Sequence, residues 1–300
     1  MSRILVTGIA VLDLVCRVDH YPREDEELRA LDMQRRLGGN GANMARVLAQ
    51  LGHEAHLLAT LADDPAGDEL LAALAAAGVQ AGHCPRLSGH TPTSCILLNA
   101  ASGSRTIVHH RDLAELDPGH FRALPLATFD WFHFEGRNVA ATAQMLAHVR
   151  DLRVDQPVSL ELEKPRAGLD ALLPLADVVI AARAWAEASG HGDAPACLRA
   201  LRRAAPHALL VCPWGAAGAW ALDRDGSLLQ QPAVAAGPVV DTLGAGDSFN
   251  AALVDALAGG HTLAEALHRA CLLAGLKVSQ PGFDGLAERF EAELARIEPT

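Results

Sequence analysis

Short apolar runs alternate with longer Ala/Leu-rich stretches through most of the 300 residues, and this alternation constrains the fold more than any other feature. Apolar runs bounded by turn residues are typical of buried strands, and the Ala/Leu-rich stretches have the length of helices. The pattern predicts an α/β protein, a three-layer α/β/α sandwich with a mainly parallel central sheet. The expected strands are Arg3 to Gly8, His56 to Thr60, Asp130 to Phe134, Val158 to Leu162, Asp177 to Ala181 and Ala208 to Cys212. The expected helices are Gly41 to Leu51, Ala66 to Ala77, Ala140 to Leu152, Ala194 to Ala204, Ala245 to Ala258 and Leu263 to Leu276.

Two β-prone stretches without helices interrupt the alternation, from about residue 15 to residue 36 and from about residue 91 to residue 111. The second stretch has two extended runs, Pro92 to Asn99 and Arg105 to His110, joined by a Ser/Gly-rich turn. If both stretches leave the same edge of the main sheet, they form a small β-sheet lid; otherwise they are ordinary surface hairpins. We therefore expect a single domain over residues 1–300 with an inserted lid.

The charge balance excludes several classes of partner. The 36 acidic residues outnumber the 25 basic ones, and no basic cluster is present, which argues against binding to nucleic acid or to a membrane surface. Asp13 interrupts the apolar start, and no apolar run reaches the roughly 20 residues of a spanning helix. The six cysteines lack metal-site spacing, which favours buried free thiols in the cytoplasm. Only Lys164 and Lys277 can supply a lysine charge.

The most specific motif is Val-Val-Asp-Thr-Leu-Gly-Ala-Gly-Asp-Ser-Phe-Asn, which starts at Val239 and is followed by an apolar helical stretch. Small residues at a helix start leave backbone N–H groups free to face an anion. Asp247 lies in the same turn and would repel a phosphate group. It is therefore either a general base for a substrate hydroxyl or a helix cap, and the spacing does not separate the two.

A second motif, Leu-Gly-Gly-Asn-Gly-Ala-Asn-Met, starts at Leu37. Its glycines allow close approach of a ligand, and Asn40 and Asn43 share one face of the following helix. Amide side chains both donate and accept hydrogen bonds, which suits a polyhydroxylated substrate, and Asp13 could bind the same hydroxyls. Alternatively, the glycines form a turn and Asp13 ends a strand. Neither the Walker A motif nor the dinucleotide-binding motif G-x-G-x-x-G is present.

Together, G-G-N-x-x-N, D-T-x-G-A-G-D and Asp13, expected at the end of the first strand, resemble the ribokinase, or PfkB, family of carbohydrate kinases. The matching stretches are Asp19 to Asp25, Ala101 to Ile107, His133 to Asn138, Glu161 to Arg166, Val239 to Ala251 and Gly282 to Gly285. The two terminal motifs specify the family, and the middle stretches narrow the resemblance to its ketohexokinase branch. The resemblance implies a ribokinase-like fold and ATP- and Mg²⁺-dependent phosphorylation of a ketohexose, D-fructose to fructose 1-phosphate. The alternatives are a kinase for another sugar, a sugar acid or a nucleoside, and a non-catalytic sugar-binding regulatory protein.

The resemblance also implies roles for individual residues. Asp247 is the implied catalytic base, and Gly244, Ala245 and Gly246 form the implied anion hole. The implied sugar contacts are Asp13, Gly39, Asn40, Asn43 and Arg105. The implied nucleotide contacts are Lys164, Trp214, Gly215, Gly218, Thr242, Phe249, Cys271 and Gly275.

Three further expectations come from the same resemblance. Glu135 either contacts the phosphate and Mg²⁺ region indirectly or is a structural carboxylate paired with Arg137. Asp25 matches a lid residue that reaches the sugar site of the partner in dimeric relatives, which implies a homodimer through the lid. A monovalent cation such as K⁺ would order the loop around Asp241 and Thr242.

This chain also departs from the family pattern in the nucleotide pocket. Gly215-Ala216-Ala217 lacks the acidic residue expected after Trp214, and Val278 stands where a second cysteine is expected. These departures leave the nucleotide donor preference open.

Overall fold

The strands and helices alternate along the chain as the sequence predicts. The structure is a computed structural model that describes residues 1–152 and 156–297. Its strands are β1 (Arg3–Thr7), β2 (Val11–Val18), β3 (Asp32–Gly38), β4 (Glu54–Leu58), β5 (Leu61–Ala62), β6 (Arg86–Leu87), β7 (Thr93–Asn99), β8 (Arg105–His110), β9 (Trp131–Glu135), β10 (Val158–Leu162), β11 (Val178–Ala181), β12 (Leu209–Pro213), β13 (Ala219–Leu222) and β14 (Leu228–Gln231). Its helices are α1 (Asn40–Gln50), α2 (Pro65–Ala76), α3 (Pro118–Arg122), α4 (Val139–Asp151), α5 (Arg183–Ala188), α6 (Ala194–Ala204), α7 (Ala245–Ala258), α8 (Leu263–Val278) and α9 (Leu286–Ile297).

The main sheet has the strand order β14-β13-β12-β11-β10-β9-β1-β4. The six strands from β12 to β4 are parallel, and β13 and β14 are antiparallel at one edge. All five residues of β10 are buried, as expected for a parallel strand covered on both faces. The predicted α/β class is confirmed, and each predicted strand and helix is present with its ends within two residues of the expected ones.

Helices cover both faces of this sheet because successive strand residues point to opposite sides. In β1, Ile4 and Val6 pack in the core cluster that includes α1, α7, α8 and α9, whereas Leu5 packs in the cluster that includes α4 and α6. All three side chains are fully buried, and each contributes roughly 1.5–3 kcal/mol of hydrophobic stabilisation. The core therefore has two layers, one on each side of the sheet.

The strand order reverses between β1 and β9. The chain passes from β1 to its neighbour β4 through α1, and later places β9 on the opposite side of β1. In open α/β sheets, ligands bind in the crevice beyond the carboxyl ends of the strands at such a reversal. Gly8 directly follows β1, and Glu135 is the last residue of β9. The two residues are in contact, since a Cβ on Gly8 would lie 2.1 Å from Oε1 of Glu135.

A smaller sheet stands beside this crevice, with the strand order β3-β2-β7-β8. Its two antiparallel hairpins, β2–β3 and β7–β8, join through the parallel pair β2–β7. One face contributes Val15, Ile96 and Leu98 to a small apolar cluster with Leu243. Strand β2 begins at Val11, before the expected start of the first β-prone stretch, because its ladder with β3 continues to Gly38.

The sequence did not predict α3, α5, α9 or the strands β5, β6, β13 and β14. Strands β5 and β6 have two residues each, and α5 has six, which is too short to show a periodic pattern. All six cysteines are free, and Cys197, Cys212 and Cys271 are buried as expected. Cys16 and Cys84 are only partly buried, and Cys95 is exposed because it lies on the open face of β7. No helix in residues 1–152 and 156–297 is long and apolar enough to cross a membrane.

Candidate active site

A cavity of about 760 Å³ lies between the carboxyl ends of the main-sheet strands and the smaller sheet. It brings together both sequence motifs, although Asn43 and Asp247 are 204 residues apart in the chain. Ten of the predicted site residues line it: Asp13, Gly39, Asn40, Asn43, Arg105, Lys164, Thr242, Gly244, Gly246 and Asp247.

Two helices begin at this cavity, and a glycine precedes each of them. Gly39 precedes α1 with φ 96°, and Gly244 precedes α7 with φ 74°. A Cβ on Gly39 would lie 2.5 Å from the Ile9 carbonyl oxygen, and one on Gly244 would lie 2.2 Å from Cζ of Phe283. Both positions therefore require glycine. The first-turn N–H groups of α7 lack intrahelical acceptors and give this end of the cavity a positive potential.

Asp247 does not cap α7. Gly244 is the N-cap residue, and no side chain there accepts a capping hydrogen bond. Instead, the buried Asp247 carboxylate accepts a 2.8 Å hydrogen bond at Oδ2 from Nδ2 of Asn43 in α1. Burial raises the pKa of Asp247 to about 7; the Asn43 hydrogen bond opposes this shift, and the negative charge of Glu163 adds to it. The carboxyl therefore titrates near neutral pH.

Another buried carboxylate, Glu161 at the end of β10, lines the same cavity and was not assigned a role from the sequence. Nδ2 of Asn250 in α7 donates a 2.9 Å hydrogen bond to its Oε1. Burial raises the pKa of Glu161 well above its usual value, and the charges of Asp247 and Glu135 raise it further. Acidic groups thus lie along the main-sheet side of the cavity.

Glu135 is not part of the lining of this cavity but lines a second, smaller pocket together with Gly8 and Glu115. Its Oε1 accepts hydrogen bonds from the backbone N–H groups of Ile9, at 3.0 Å, and Gly41, at 2.6 Å. Its Oε2 is buried and has no partner among residues 1–152 and 156–297. The expected pairing with Arg137 is not observed, because Nη2 of Arg137 donates to Glu115 instead. Burial raises the pKa of Glu135 to about 7.

On the smaller-sheet side, hydrogen-bond acceptors face the cavity. Asp13 lies within β2 of the smaller sheet rather than at the end of the first strand, because the chain turns after β1 and starts a new strand at Val11. Its partners on the neighbouring strands are Arg36 and Ser94. Burial raises the pKa of Asp13 to about 6, while the Ser94 hydrogen bond and the Arg36 charge oppose this shift. Oδ1 of Asn43 is buried without a partner in the part of the chain that the structure describes. Asp13 and Asn43 therefore offer oxygen atoms to ligand hydroxyl groups.

The β7–β8 hairpin is tied to the loop before α7. Nη1 of Arg105 donates a 2.8 Å hydrogen bond to Oγ1 of Thr242, which in turn donates to the Gly103 carbonyl oxygen at 3.2 Å. Thr242, expected at the nucleotide, therefore contacts the predicted sugar-side arginine.

Of the other predicted nucleotide residues, Lys164 lines the cavity, and the rest lie outside its lining. Lys164 is exposed, and its Nζ lies 3.5 Å from Oε1 of Glu163. Two of the residues outside the lining, Gly218 and Gly275, pack against one segment, residues 231–234. A Cβ on either would lie 2.0 Å from a carbonyl oxygen of that segment. Trp214 lies under the Arg183 guanidinium, 5.5 Å from the ring centroid. The remaining predicted site residues outside the lining are Ala245, Gly215, Phe249, Cys271 and Asp25. Phe249 in α7 and Cys271 in α8 are buried. Asp25 is exposed in the loop between β2 and β3.

The sequence analysis missed a buried ion cluster beside the cavity. Nζ of Lys277 lies 3.0 Å from the Asp241 carbonyl oxygen and 3.3 Å from its Oδ2, and Nη1 of Arg36 lies 3.2 Å from the same Oδ2. Two signals pointed toward it, the scarcity of lysine and the acidic residue that opens the D-T-x-G-A-G-D motif.

Comparisons with known proteins agree with this arrangement. The family of pfkB carbohydrate kinases matches residues 1–288. Ketohexokinase of Mus musculus is 38% identical over 294 residues, which cover 95% of this chain and 99% of the mouse protein. Ribokinase of Giardia lamblia superposes with a TM-score of 0.84 at 20% identity over 99% of both chains. Ribokinase of Arabidopsis thaliana, solved with ribose and ATP, superposes with a TM-score of 0.78 at 22% identity over 94% of both chains.

The structural similarity defines the fold, and the sequence similarity defines the family. The main sheet, the helix layers and the smaller sheet form a ribokinase-like fold, as the sequence predicted. The chain belongs to the pfkB family of carbohydrate kinases and is therefore a sugar phosphotransferase.

The raised pKa of Asp247 predicts how stability changes with pH. Because the folded-state pKa, about 7, exceeds the usual 3.8, the folded protein binds more protons between these values, and the free energy of unfolding falls as pH rises through this window. We expect Asp247→Asn to raise the melting temperature by about 2 to 6 °C at about pH 8 and by less than half as much at about pH 5, which lies closer to the lower end of this window. Calorimetry at both pH values measures this.

Asp255→Asn is the matched control in the same helix. Asp255 pairs with His53 and Arg269 outside the cavity, so its replacement should lower the melting temperature at about pH 8. If Asp247→Asn fails to raise the melting temperature at the higher pH, the Asp247 carboxylate is not destabilised by its surroundings.

Proposed function

We propose that the chain is an ATP-dependent ketohexokinase that transfers the γ-phosphoryl group of ATP to the O1 hydroxyl of D-fructose, giving fructose 1-phosphate. The observation that carries this proposal is the contact between Asn43 and Asp247, which holds a buried carboxylate of raised pKa at a helix N-terminus facing a cavity. The likeness to mouse ketohexokinase, 38% identity over nearly the full length of both proteins, supports fructose as the acceptor.

The sugar would bind at the smaller-sheet side of the cavity. Asp13 and the free Oδ1 of Asn43 would accept hydrogen bonds from sugar hydroxyls, and the Asn40 amide could both donate and accept. Arg105 would donate to a sugar oxygen, and Gly39 would let the sugar approach the start of α1. These contacts would hold the reacting hydroxyl in place before transfer.

Asp247 would act as the catalytic base. The hydrogen bond from Asn43 engages Oδ2, which leaves Oδ1 to take the proton of the attacking hydroxyl. The sugar oxygen would form a bond to the γ-phosphorus as the bond to the β-phosphate oxygen breaks and ADP leaves. A carboxyl that titrates near neutral pH is basic enough to help and is still largely ionised above that pH.

The first turn of α7 would form the anion hole. Gly244, Ala245 and Gly246 carry no side chain larger than a methyl group, so the backbone N–H groups at this helix start can approach the phosphoryl oxygens. Their charge stabilisation grows as negative charge spreads over the transferred group.

ATP would lie along the loops at the carboxyl ends of β10 to β12 and beside α7 and α8. Lys164, Thr242, Trp214, Gly215, Gly218, Phe249, Cys271 and Gly275 are the proposed nucleotide residues. Glu161 and Glu163 line the cavity, whereas no group of three or more His, Cys, Asp or Glu residues in the described part of the chain could hold a metal ion by itself. Because Mg²⁺ in such sites is held by one or two carboxylates together with the substrate's phosphates, these two residues are the proposed contacts of Mg²⁺, and Glu135 would act only indirectly. Bound Mg²⁺ neutralises charge on the donor phosphates.

One observation favours a second candidate, a kinase for a sugar acid. The guanidinium groups of Arg36, Arg46 and Arg105 line the cavity, and guanidinium groups bind carboxylates well. This candidate keeps the same base and anion hole and changes only the acceptor.

The acceptor proposal is tested by ADP release with ATP and Mg²⁺ against fructose, other ketoses, ribose, adenosine and sugar acids. We expect the highest kcat/KM for fructose, with NMR placing the phosphate on C1. A higher kcat/KM for a sugar acid would select the second candidate. Saturable sugar binding without turnover would replace both with a regulatory, non-catalytic role.

The base assignment is tested with Asp247→Asn. We expect fructose affinity close to that of the natural protein and kcat lower by about 10³-fold or more, because proton removal is lost. Asp255→Asn, the same change in the same helix but outside the cavity, should keep kcat within about twofold. Near-normal turnover by Asp247→Asn would refute the assignment.

We further propose that residues 1–300 form one kinase domain whose smaller sheet is a lid shared in a homodimer in the cytoplasm. The outer face of the smaller sheet exposes Met33, at 65% of its surface, and Val108, at 69%, together with Cys95. A second copy would cover this apolar face and the open sheet edges. Asp25 is exposed and does not line the cavity of its own chain, which suits a contact with the partner's sugar site.

Light scattering tests the dimer. We expect twice the chain mass at about micromolar concentration, and we expect Val108→Asp to yield monomers because it places a charge in the proposed interface. Leu228→Asp changes an exposed leucine in the edge strand β14 and should leave the dimer intact. A monomeric natural protein would contradict the shared lid.

A further inference from the structure

Lys277, at the end of α8, is a charged side chain buried completely beside the proposed anion hole. Its ammonium group donates to the Asp241 carbonyl oxygen at 3.0 Å and lies 3.3 Å from the Asp241 carboxylate. The ring centroid of Phe283 is 5.2 Å from the same nitrogen. A buried charge is costly unless it is paired, so these contacts need a reason.

Each contact of Lys277 leads to the loop that precedes α7. Oδ1 of Asp241 accepts a 2.9 Å hydrogen bond from the Leu243 N–H, and Oδ2 accepts one of 3.1 Å from the Gly282 N–H. The Phe283 ring packs against Gly244, where a Cβ would lie 2.2 Å from Cζ. The ammonium group therefore supports this loop through Asp241 on one side and through Phe283 on the other.

The K⁺ expected to order the loop around Asp241 does not fit these residues. All three Asp241 oxygen atoms already accept hydrogen bonds or contact cations. Two fixed positive charges, Lys277 and Arg36, lie within 3.3 Å of its oxygen atoms and would repel another cation.

We propose that Lys277 is a positioning residue for phosphoryl transfer, whose ammonium group does internally what a bound K⁺ would do, so that the kinase needs no monovalent cation. This inference rests on the proposed function, because the supported loop leads directly into the anion hole and Asp247.

The charges around Lys277 are consistent with this role. Burial lowers the pKa of Lys277, and the Asp241 carboxylate opposes that shift. Burial alone would raise the pKa of Asp241, but the Lys277 charge and the Leu243 and Gly282 N–H groups lower it overall. The 3.0 and 3.3 Å contacts between Nζ of Lys277 and the Asp241 oxygens hold the loop through a side chain of the protein itself rather than through an exchangeable ion.

The first experiment uses the natural protein. We expect kcat and melting temperature to be the same, within about twofold and about 1 °C, in potassium chloride and in tetramethylammonium chloride at equal ionic strength. A marked activation by K⁺, or a melting temperature raised specifically by K⁺, would overturn the proposal. The melting temperature needs no acceptor sugar, so this result stands even if the acceptor panel finds no turnover.

The second experiment removes the ammonium group. We expect Lys277→Met to lower kcat by about 100-fold, since small displacements in a reacting site have effects of this size, while the sugar KM stays within about threefold. Lys277→Ala, which opens space beside the Asp241 oxygens, should be slow in tetramethylammonium chloride and recover at least partly in potassium chloride. Cation-dependent recovery is a readout that a purely structural lysine would not produce.

Leu276→Ala is the matched control. Leu276 is the buried neighbour in α8, so its replacement should lower the melting temperature but leave the ratio of rates in the two salts unchanged. Lys277→Met with normal kcat would overturn the proposal. If Lys277→Met does not fold, the salt comparison on the natural protein still decides it. If fructose is not phosphorylated, only the proposed function is refuted. The ratio of the rates in the two salts can be measured with any acceptor that the enzyme phosphorylates.

Discussion

The hydrogen bond between Asn43 and Asp247 is the interaction on which the rest of the site depends. It joins the first turns of α1 and α7, which belong to distant parts of the chain, and it buries a carboxylate that needs a polar partner. Because both helices begin after a glycine at this point, the bond also brings the first turn of α7, with its N–H groups, to the cavity that α1 borders. The main sheet and its helix layers serve to hold these two helix starts in one position.

Two aspartates six residues apart show how the surroundings shift the pKa of a buried carboxyl in opposite directions. Asp241 and Asp247 are both buried, yet the pKa of Asp241 is lowered while that of Asp247 is raised. The difference lies in their partners, since Asp241 contacts Lys277 and Arg36, whereas Asp247 receives one neutral amide and faces other carboxylates. One carboxylate is thereby suited to hold a loop, and the other to exchange a proton near neutral pH.

Much of the fold was predictable because local patterns reported it. Strands such as β11, Val178–Ala181, are continuous apolar runs, and buried parallel strands favour such runs. The six-residue helix α5 and the four-residue edge strands β13 and β14 were missed, because elements this short show no periodic pattern in the sequence. In the site, the Asp247 and Asn43 motifs were found from glycine spacing. Glu161 was not assigned a role, because nothing local distinguishes it from its neighbour Glu163, whereas only the fold buries it against Asn250.

The sequence by itself determined the α/β class, the helix and strand order, and the two glycine-rich helix starts, because hydrophobic periodicity and glycine's access to positive φ act over a few residues. Only the tertiary structure decided which charges meet. Lys277 could have been an exposed lysine near the end of a helix, and Glu135 could have paired with Arg137. Packing instead placed Lys277 on Asp241 and Glu135 on the N–H groups of Ile9 and Gly41. Pairing of buried charges depends on contacts between distant segments, which no local sequence pattern encodes.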